Sequence, residues 1–474
     1  MLGLVILPST GLALVSYIFI LPFLTYLYDP KGLRKLPTVS PLSGLTDLHH
    51  CYLSALGYRS KAFYEAHIEK KASILRTGPN SISFGDIRAI KDLYGHGTRC
   101  IKDHNYTLLA GSHTQIFEVV DKGDHSRRRK QLSSAVQRLL NSMDEHCTAP
   151  LLSGQSIPSH ADVTFDFGKW IYLFTIEAIN IIAVSSSLGL MNKGSDDVTA
   201  EKRDGYLYQA RYREAQSYTA LGQSTFVWNY KNYHMLAMLS KMSAKWRDVW
   251  EKAKPWDDIG RPSNLEWGEV VAEVGAIINA GADTTSIALT NVLEMLLHHP
   301  RELERLREEV DSALGESEVV ATYDKVKNLP FLRACLDEAL RLSPPTSAGL
   351  PRRTPPGGAQ ILGQWIPGDT TVAMAIYTAH RGPEVFPDPE EYRPERWMDP
   401  EARKRMEPYF IPFSAGSRGC LGRNISYLEQ KLVLASIVHR YEFALPSPDF
   451  RLERREALNL LVGELPIKLW RRKL

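Results

Sequence analysis

The chain has little cysteine: five in 474 residues (Cys51, Cys100, Cys147, Cys335 and Cys420), an odd number with no C-x-x-C pair. That excludes a disulfide framework and a zinc ribbon, and it predicts a reducing compartment. Neither sign of charge dominates. Lys plus Arg number 57 against 54 Asp plus Glu, a formal charge of +3, too small to argue for a nucleic acid or another polyanion as partner. No G-x-G-x-x-G follows a strand pattern, so the chain carries no complete flavin or nicotinamide domain of its own. Internal repeats and low-complexity tracts are absent. With 44% hydrophobic and 23% charged residues, the composition excludes a disordered or collagen-like polypeptide.

What is present begins at the N-terminus. Leu2 to Tyr28 is a run of 27 residues without a charge, and at ~1.5 Å per residue a helix of that length measures about 40 Å, more than the ~30 Å hydrocarbon core of a bilayer. Pro8 and Pro22 leave Gly11 to Tyr28 as the best spanning portion, with a kink or tilt. A basic start and a small-residue cleavage site are both missing, so a retained anchor is favoured over a cleaved signal peptide. Lys31, Arg34 and Lys35 follow the run and predict that the remainder lies in the cytosol. The expected organisation is a transmembrane anchor (1–28), a Pro-rich linker (29–41) marked by Asp29, Pro30, Gly32, Pro37 and Pro41, and one domain (42–474).

Helical signals dominate the second half. Ser263 or Asn264 suits the cap of a long helix from Leu265 to about His299, and Pro300 suits the first turn of the next, whose Leu303, Leu306, Val310 and Leu314 share a face up to Gly315. A third helix is predicted from about Pro330 to Leu342 and a last one after Gly422. The Pro and Gly content of 344–368 and 382–400 predicts short strands and an ordered meander, and the Gly78-Pro79-Asn80 turn predicts a hairpin between Ser73–Arg76 and Ser81–Phe84. Residues 153–260 read as helical but have few signposts.

The most specific segment is Phe413-Ser-Ala-Gly416-Ser-Arg418-Gly-Cys420-Leu-Gly422. Glycines around Cys420 let backbone amides approach its sulfur, Phe413 is placed to shield it, and Arg418 to neutralise a nearby anion; these are the needs of a thiolate metal ligand. The stretch resembles the F-x-x-G-x-R-x-C-x-G loop of the cytochrome P450 haem-thiolate monooxygenases. About eighty residues earlier stands Glu338-Ala-Leu-Arg341, which resembles the family's E-x-x-R, and Pro394-Glu395-Arg396-Trp397 resembles its P-E-R-F with Trp in place of Phe. Ala280-Gly281-Ala282-Asp283-Thr284-Thr285 resembles the family's A-G-x-D-T-T segment on the long helix.

The resemblance implies a mainly α fold with a small β portion, behind one N-terminal transmembrane helix. It implies haem b (iron protoporphyrin IX) with Cys420 as the axial iron ligand. Phe413, Gly416, Gly422 and Ala280 would contact the cofactor, and Arg418, Arg352, Arg129 and His125 would hold its propionates, His125 standing where many members carry Trp. Asp283 and Thr284 would be the catalytic proton-delivering pair. Glu338, Arg341 and Arg396 would form a structural triad behind the cysteine loop. A spacing of four small residues (Ala276, Ala280, Thr284, Ala288) leaves one helix face with little bulk, and Gly281 with the Thr284 hydroxyl would loosen the helical ladder into a notch. The implied partners are an NADPH–cytochrome P450 reductase, cytochrome b5 as a second donor, a lipophilic small molecule and the endoplasmic reticulum membrane, with no nucleic acid. The anchor and the Leu265-Glu-Trp-Gly-Glu269 lead-in look most like fungal microsomal members, many of which oxidise secondary metabolites. Two rival readings are a haem-thiolate isomerase or dehydratase, which would not need Asp283 and Thr284, and a non-catalytic haem- or sterol-binding membrane protein.

Overall fold

The computed structural model describes residues 20–103, 135–145, 165–184, 188–201, 207–211, 267–457 and 459–474. Helix α1 (Leu21–Tyr28) is followed by α2 (Leu48–Leu56), α3 (Arg59–Glu69), α4 (Ala89–Tyr94) and α5 (Phe167–Val184). Then come α6 (Trp267–His298), α7 (Pro300–Ala313), α8 (Pro330–Leu342) and α9 (Arg423–Arg440). The expected α-rich class with a small β portion is what is found, and the predicted helices of the second half fall within a residue or two of their expected bounds. Proline starts both α7 and α8, where its missing N–H costs nothing. The N-cap of α8 is Leu329, which has no side-chain acceptor, so Glu309 of α7 takes the role: its two oxygens accept from the Phe331 and Leu332 amides at 2.8 and 2.7 Å.

The largest sheet gathers distant pieces of chain: β1 (Ile74–Gly78), β2 (Ser81–Phe84), β3 (Ile101–Lys102), β4 (Arg352–Arg353) and β5 (Thr371–Ala373). β1 and β2 form the predicted hairpin, β5 lies parallel to β2, β4 pairs antiparallel with β5, and β3 closes the far edge beside β4. The stretch 382–400 holds turns and the 3-10 segment Pro394–Trp397 rather than strands, because Trp397 and Pro394 are drawn into the core there.

Two apolar cores result. One lies among α5 to α9; the other joins the five-stranded sheet, α4 and Ile411. The segment that leads to Cys420 runs along their seam, with Ile411 and Ala415 in the sheet core and Phe413 against the helical one.

Near the N-terminus, residues 1–19 of the expected anchor lie outside the described residues. Among the described residues no helix is long and apolar enough to cross a membrane. Residues 29–41 are bonded to the domain: Thr38 bridges to Arg76, the Pro37 carbonyl accepts from the Arg76 amide, and Lys31 Nζ donates to Asn80 Oδ1 and the Asp369 carbonyl. Cys51, Cys100, Cys335 and Cys420 are free thiols, and Cys147 lies outside the described residues.

Candidate functional site

Cys420 sits two residues before Gly422, the N-cap of α9. Its amide donates to the Phe413 carbonyl at 2.8 Å, closing the loop on itself. Burial pushes its thiol up from the ordinary value, and the Gly422 and Arg423 amides together with the Arg423 charge pull the other way. Cys420 is exposed as a residue, although its thiol is closely surrounded. One glycine makes the geometry possible: Gly416 has φ +65°, and a Cβ there would fall 2.2 Å from the Tyr94 carbonyl, whereas a Cβ on Gly422 would lie in ordinary contact 3.9 Å from the Cys420 sulfur. Phe413 packs at a tilt on Tyr427, their ring centroids 5.1 Å apart, with Arg423 over its ring.

Beside this loop is a cavity of about 160 Å³ lined by Tyr94, Thr98, Cys100, Ile101, Lys102, Arg352, Ser417 and Arg418. Lys102 and Arg352 are direct cross-strand partners on β3 and β4, so their side chains leave the sheet on the same face. Like charges placed opposite one another repel. Burial, then Arg418 and Arg352, accordingly lower the Lys102 pKa. Three cations lining one small cavity suit a ligand with two or more negative charges. The neighbouring Arg353 is turned away, 3.8 Å from Asp103 and 3.7 Å from Asp369, which settles that Arg352 is the arginine of this pair that faces the cavity. Lys102 is an addition to the expected cations; the short Cys100-Ile101-Lys102 stretch carries no motif that marks it. His125 and Arg129 lie outside the described residues.

A fully buried polar cluster stands behind the loop. Glu338 and Arg341 are both inaccessible, and the Glu338 carboxylate receives five donors: Arg341 Nε and Nη2, the Arg393 amide and Arg396 Nε at 2.9 Å each, and the Trp397 indole at 2.8 Å. The Trp that replaces Phe in the P-E-R-F stretch therefore adds a donor. Arg341 Nη1 continues to the His380 and Pro389 carbonyls. His380, also inaccessible, holds its pKa down at about 3 through burial and Arg341, and its Nε2 accepts from the Ile411 amide at 2.9 Å. A neutral imidazole thus links the α8 cluster to the segment that leads into the cysteine loop.

On α6, the Thr284 hydroxyl donates to the Ala280 carbonyl at 2.7 Å, and Asp283 is half-buried beside it. The expected notch is not there: α6 runs unbroken from Trp267 to His298. Gly281 serves helix packing instead, since a Cβ on it would meet Ile179 of α5 at 2.8 Å. One residue on from Thr284, Thr285 turns to α9, its hydroxyl 3.0 Å from Ser426 Oγ, to which Gln430 also donates. Glu429, buried on the same helix, touches Thr285; burial raises its carboxyl to about 8, and its Oε1 has no partner among the described residues.

The residues fit an iron porphyrin: the Cys420 thiol at a helix start supplies the axial ligand type, and the Lys102–Arg352–Arg418 cluster supplies counter-charge for two propionates. A helical fold with that pair of features belongs to the haem-thiolate class. Known proteins agree. The family model for cytochrome P450 matches residues 123–470. Cytochrome P450 monooxygenase 1 of Neocamarosporium betae is 28% identical, over 93% of this chain and 92% of that one. Benzoate 4-monooxygenase bphA of Aspergillus niger is 26% identical over 96% of each chain. The crystal structure of the cytochrome P450DA heme domain superposes with a TM-score of 0.65 at 18% identity, over 90% of this chain and 95% of that one, which shows the shared fold. The chain belongs to the cytochrome P450 family, and like its fungal relatives it is a monooxygenase.

Proposed function

We propose that the protein binds haem b through Cys420 and uses O2, with electrons from NADPH delivered by a separate reductase, to oxidise a lipophilic small molecule. Cytochrome b5 is a second electron donor in this reading, and its setting is fungal secondary metabolism. Residues 1–28 anchor the chain in the endoplasmic reticulum membrane with the domain in the cytosol; the uncharged run and the cations after it support that.

When bound, haem would supply the oxygen-activating chemistry, and Cys420 would hold it as an electron-rich thiolate ligand. The chain supplies position and protons. Arg352, Arg418 and Lys102 orient the propionate edge, joined in this reading by Arg129 and His125. Phe413 covers the sulfur, Gly416 lets the loop turn, Gly422 keeps bulk away beside the sulfur, and Ala280 keeps the α6 face low. Thr284 turns its hydroxyl from the Ala280 carbonyl to hold a proton at Oγ1, and Asp283 replenishes it from solvent. Glu338, Arg341 and Arg396 act at a distance by fixing the loop. The acid–alcohol pair on α6 favours the monooxygenase over an isomerase, dehydratase or plain binding protein, none of which needs it.

The observation that carries the reading is the exposed residue Cys420 in a loop whose Arg418 lines one cavity with Lys102 and Arg352. The test is the reduced, carbon-monoxide-bound absorption spectrum. A strongly red-shifted Soret band that disappears in Cys420→Ala is expected; a histidine-type band from folded protein would remove the thiolate assignment.

A further inference from the structure

Phe413 enters the proposed site twice: its carbonyl takes the Cys420 amide at 2.8 Å, and in the reading above its ring covers the sulfur. What holds that ring is on α9 and α8. Arg423 and Tyr427 are four apart on α9 and so share a face. Both reach Phe413. The Arg423 guanidinium stands 5.9 Å from the ring centroid, and the Tyr427 ring packs on it at 5.1 Å with 48° between the planes.

Tyr427 is in turn held from α8. Its hydroxyl donates to Asp337 Oδ1 at 2.7 Å, and the Arg333 guanidinium lies 3.7 Å from its ring centroid. Arg333 Nε donates to both Asp337 oxygens at 2.8 and 2.9 Å, and Arg403 Nη2 reaches Asp337 Oδ2 at 3.2 Å. The whole arrangement is shut away from water, with Asp337 1% and Tyr427 6% exposed. Burial, then the Asp337 charge, push the Tyr427 pKa well above its ordinary value, so the phenol stays protonated and serves as a donor. A buried hydroxyl costs free energy unless it is bonded, and phenylalanine would fill the same volume without that cost. What the hydroxyl adds is direction: a satisfied polar network fixes where a ring sits, whereas apolar packing alone tolerates small shifts.

The geometry points to Tyr427 as a positioning residue: through its bond to Asp337 it holds the Phe413 ring over the Cys420 sulfur and so sets how much water reaches the axial ligand. The inference rests on the haem-thiolate reading above. Neighbouring residues of α8 thus support the cysteine loop in two directions, Glu338 through Arg393, Arg396 and Trp397, and Asp337 through Tyr427. Solvent access to a ligating sulfur is one of the levers on the reduction potential of the bound metal. Reduction adds a negative charge there, and water stabilises charge, so a loosened Phe413 ring raises the potential.

Spectroelectrochemical titration of the haem-loaded full chain tests this in the parent, Tyr427→Phe, Tyr427→Leu and Lys61→Gln. Lys61, in an exposed pair with Glu65 on α3, is the control. The reduced, carbon-monoxide-bound thiolate band is expected in all four proteins. The potential is expected to rise in Tyr427→Phe, to rise further in Tyr427→Leu, and to stay at the parent value in Lys61→Gln. Tyr427→Phe keeps the ring and leaves Asp337 with both arginines, so it folds and decides the matter even where the leucine variant does not. An unchanged potential in Tyr427→Phe with the thiolate band intact would overturn the tether, whether or not the urea midpoint falls, because a purely structural bond moves stability alone. A rise confined to Tyr427→Leu would trace the effect to lost ring volume and overturn it equally. A parent chain without the thiolate band removes the haem-thiolate reading and the positioning role together.

Discussion

Two glutamates are buried in this domain close to the cysteine loop, and they are treated in opposite ways. Glu338 has its negative charge met by the guanidinium groups of Arg341 and Arg396, with the Trp397 indole and the Arg393 amide filling the remaining directions. Glu429 has one hydroxyl contact and an oxygen with no partner among the described residues, and burial lifts its carboxyl to about 8. Low dielectric makes both outcomes: a buried charge either collects enough donors to remain, or takes up a proton. Glu338 sits where three chain segments must be fixed behind the cysteine loop. Glu429 sits where α6 and α9 come close through small hydroxyl side chains, and Thr285 and Ser426, which meet there, bring it no cation.

The contrast is tested most sharply at Glu338. Glu338→Leu leaves two buried guanidinium groups without their carboxylate, a change that costs about 3–5 kcal/mol, read as a lower urea midpoint for the full chain. At Glu429 the effect depends on pH. Its folded pKa, about 8, is above the ordinary 4.5, so its contribution to stability is full below 4.5 and is lost as pH rises to about 8. Wild-type stability should therefore fall across that window, and Glu429→Gln should flatten the fall and be the more stable protein at pH 8, by on the order of a few kcal/mol. The smallest effect is expected one residue from the triad arginine. Glu395 pairs with Arg305 at 3.1 Å, both about half exposed, and Glu395→Gln should shift stability by less than about 1 kcal/mol, and less again in high salt.

Much of this is legible in the sequence where local chemistry and fold agree. Pro300 and Pro330 start helices because a first turn is the one helical position that tolerates them, and Glu338-x-x-Arg341 reads as an i,i+3 pair from its spacing alone. Its burial is not legible, since an exposed pair has the same spacing; only the distant Arg396 argues for it. Lys102 and His380 are silent for a related reason. Each acts through a neighbour brought in by the sheet or the meander, Arg352 in one case and Ile411 in the other, and nothing in the adjacent residues encodes that partner. Gly281 misleads because a glycine beside a threonine suggests a loosened helix, whereas the cause lies on α5, in Ile179. His125, Arg129 and most of 153–260 lie outside the described residues.

The pairing of Ile82 with Val372 has a consequence for synthesis of the chain. The hairpin leaves the ribosome with one edge open, and its parallel neighbour follows 290 residues later. At roughly 5–20 residues per second that is about 15–60 s. Through that interval the Ser81–Phe84 edge is a free template for mispairing, and the cation pair on β3 and β4 cannot yet exist. On the haem site proposed above, a ribosome stalled before Arg352 leaves behind a chain that has its hairpin but neither Arg352, Arg418 nor Cys420.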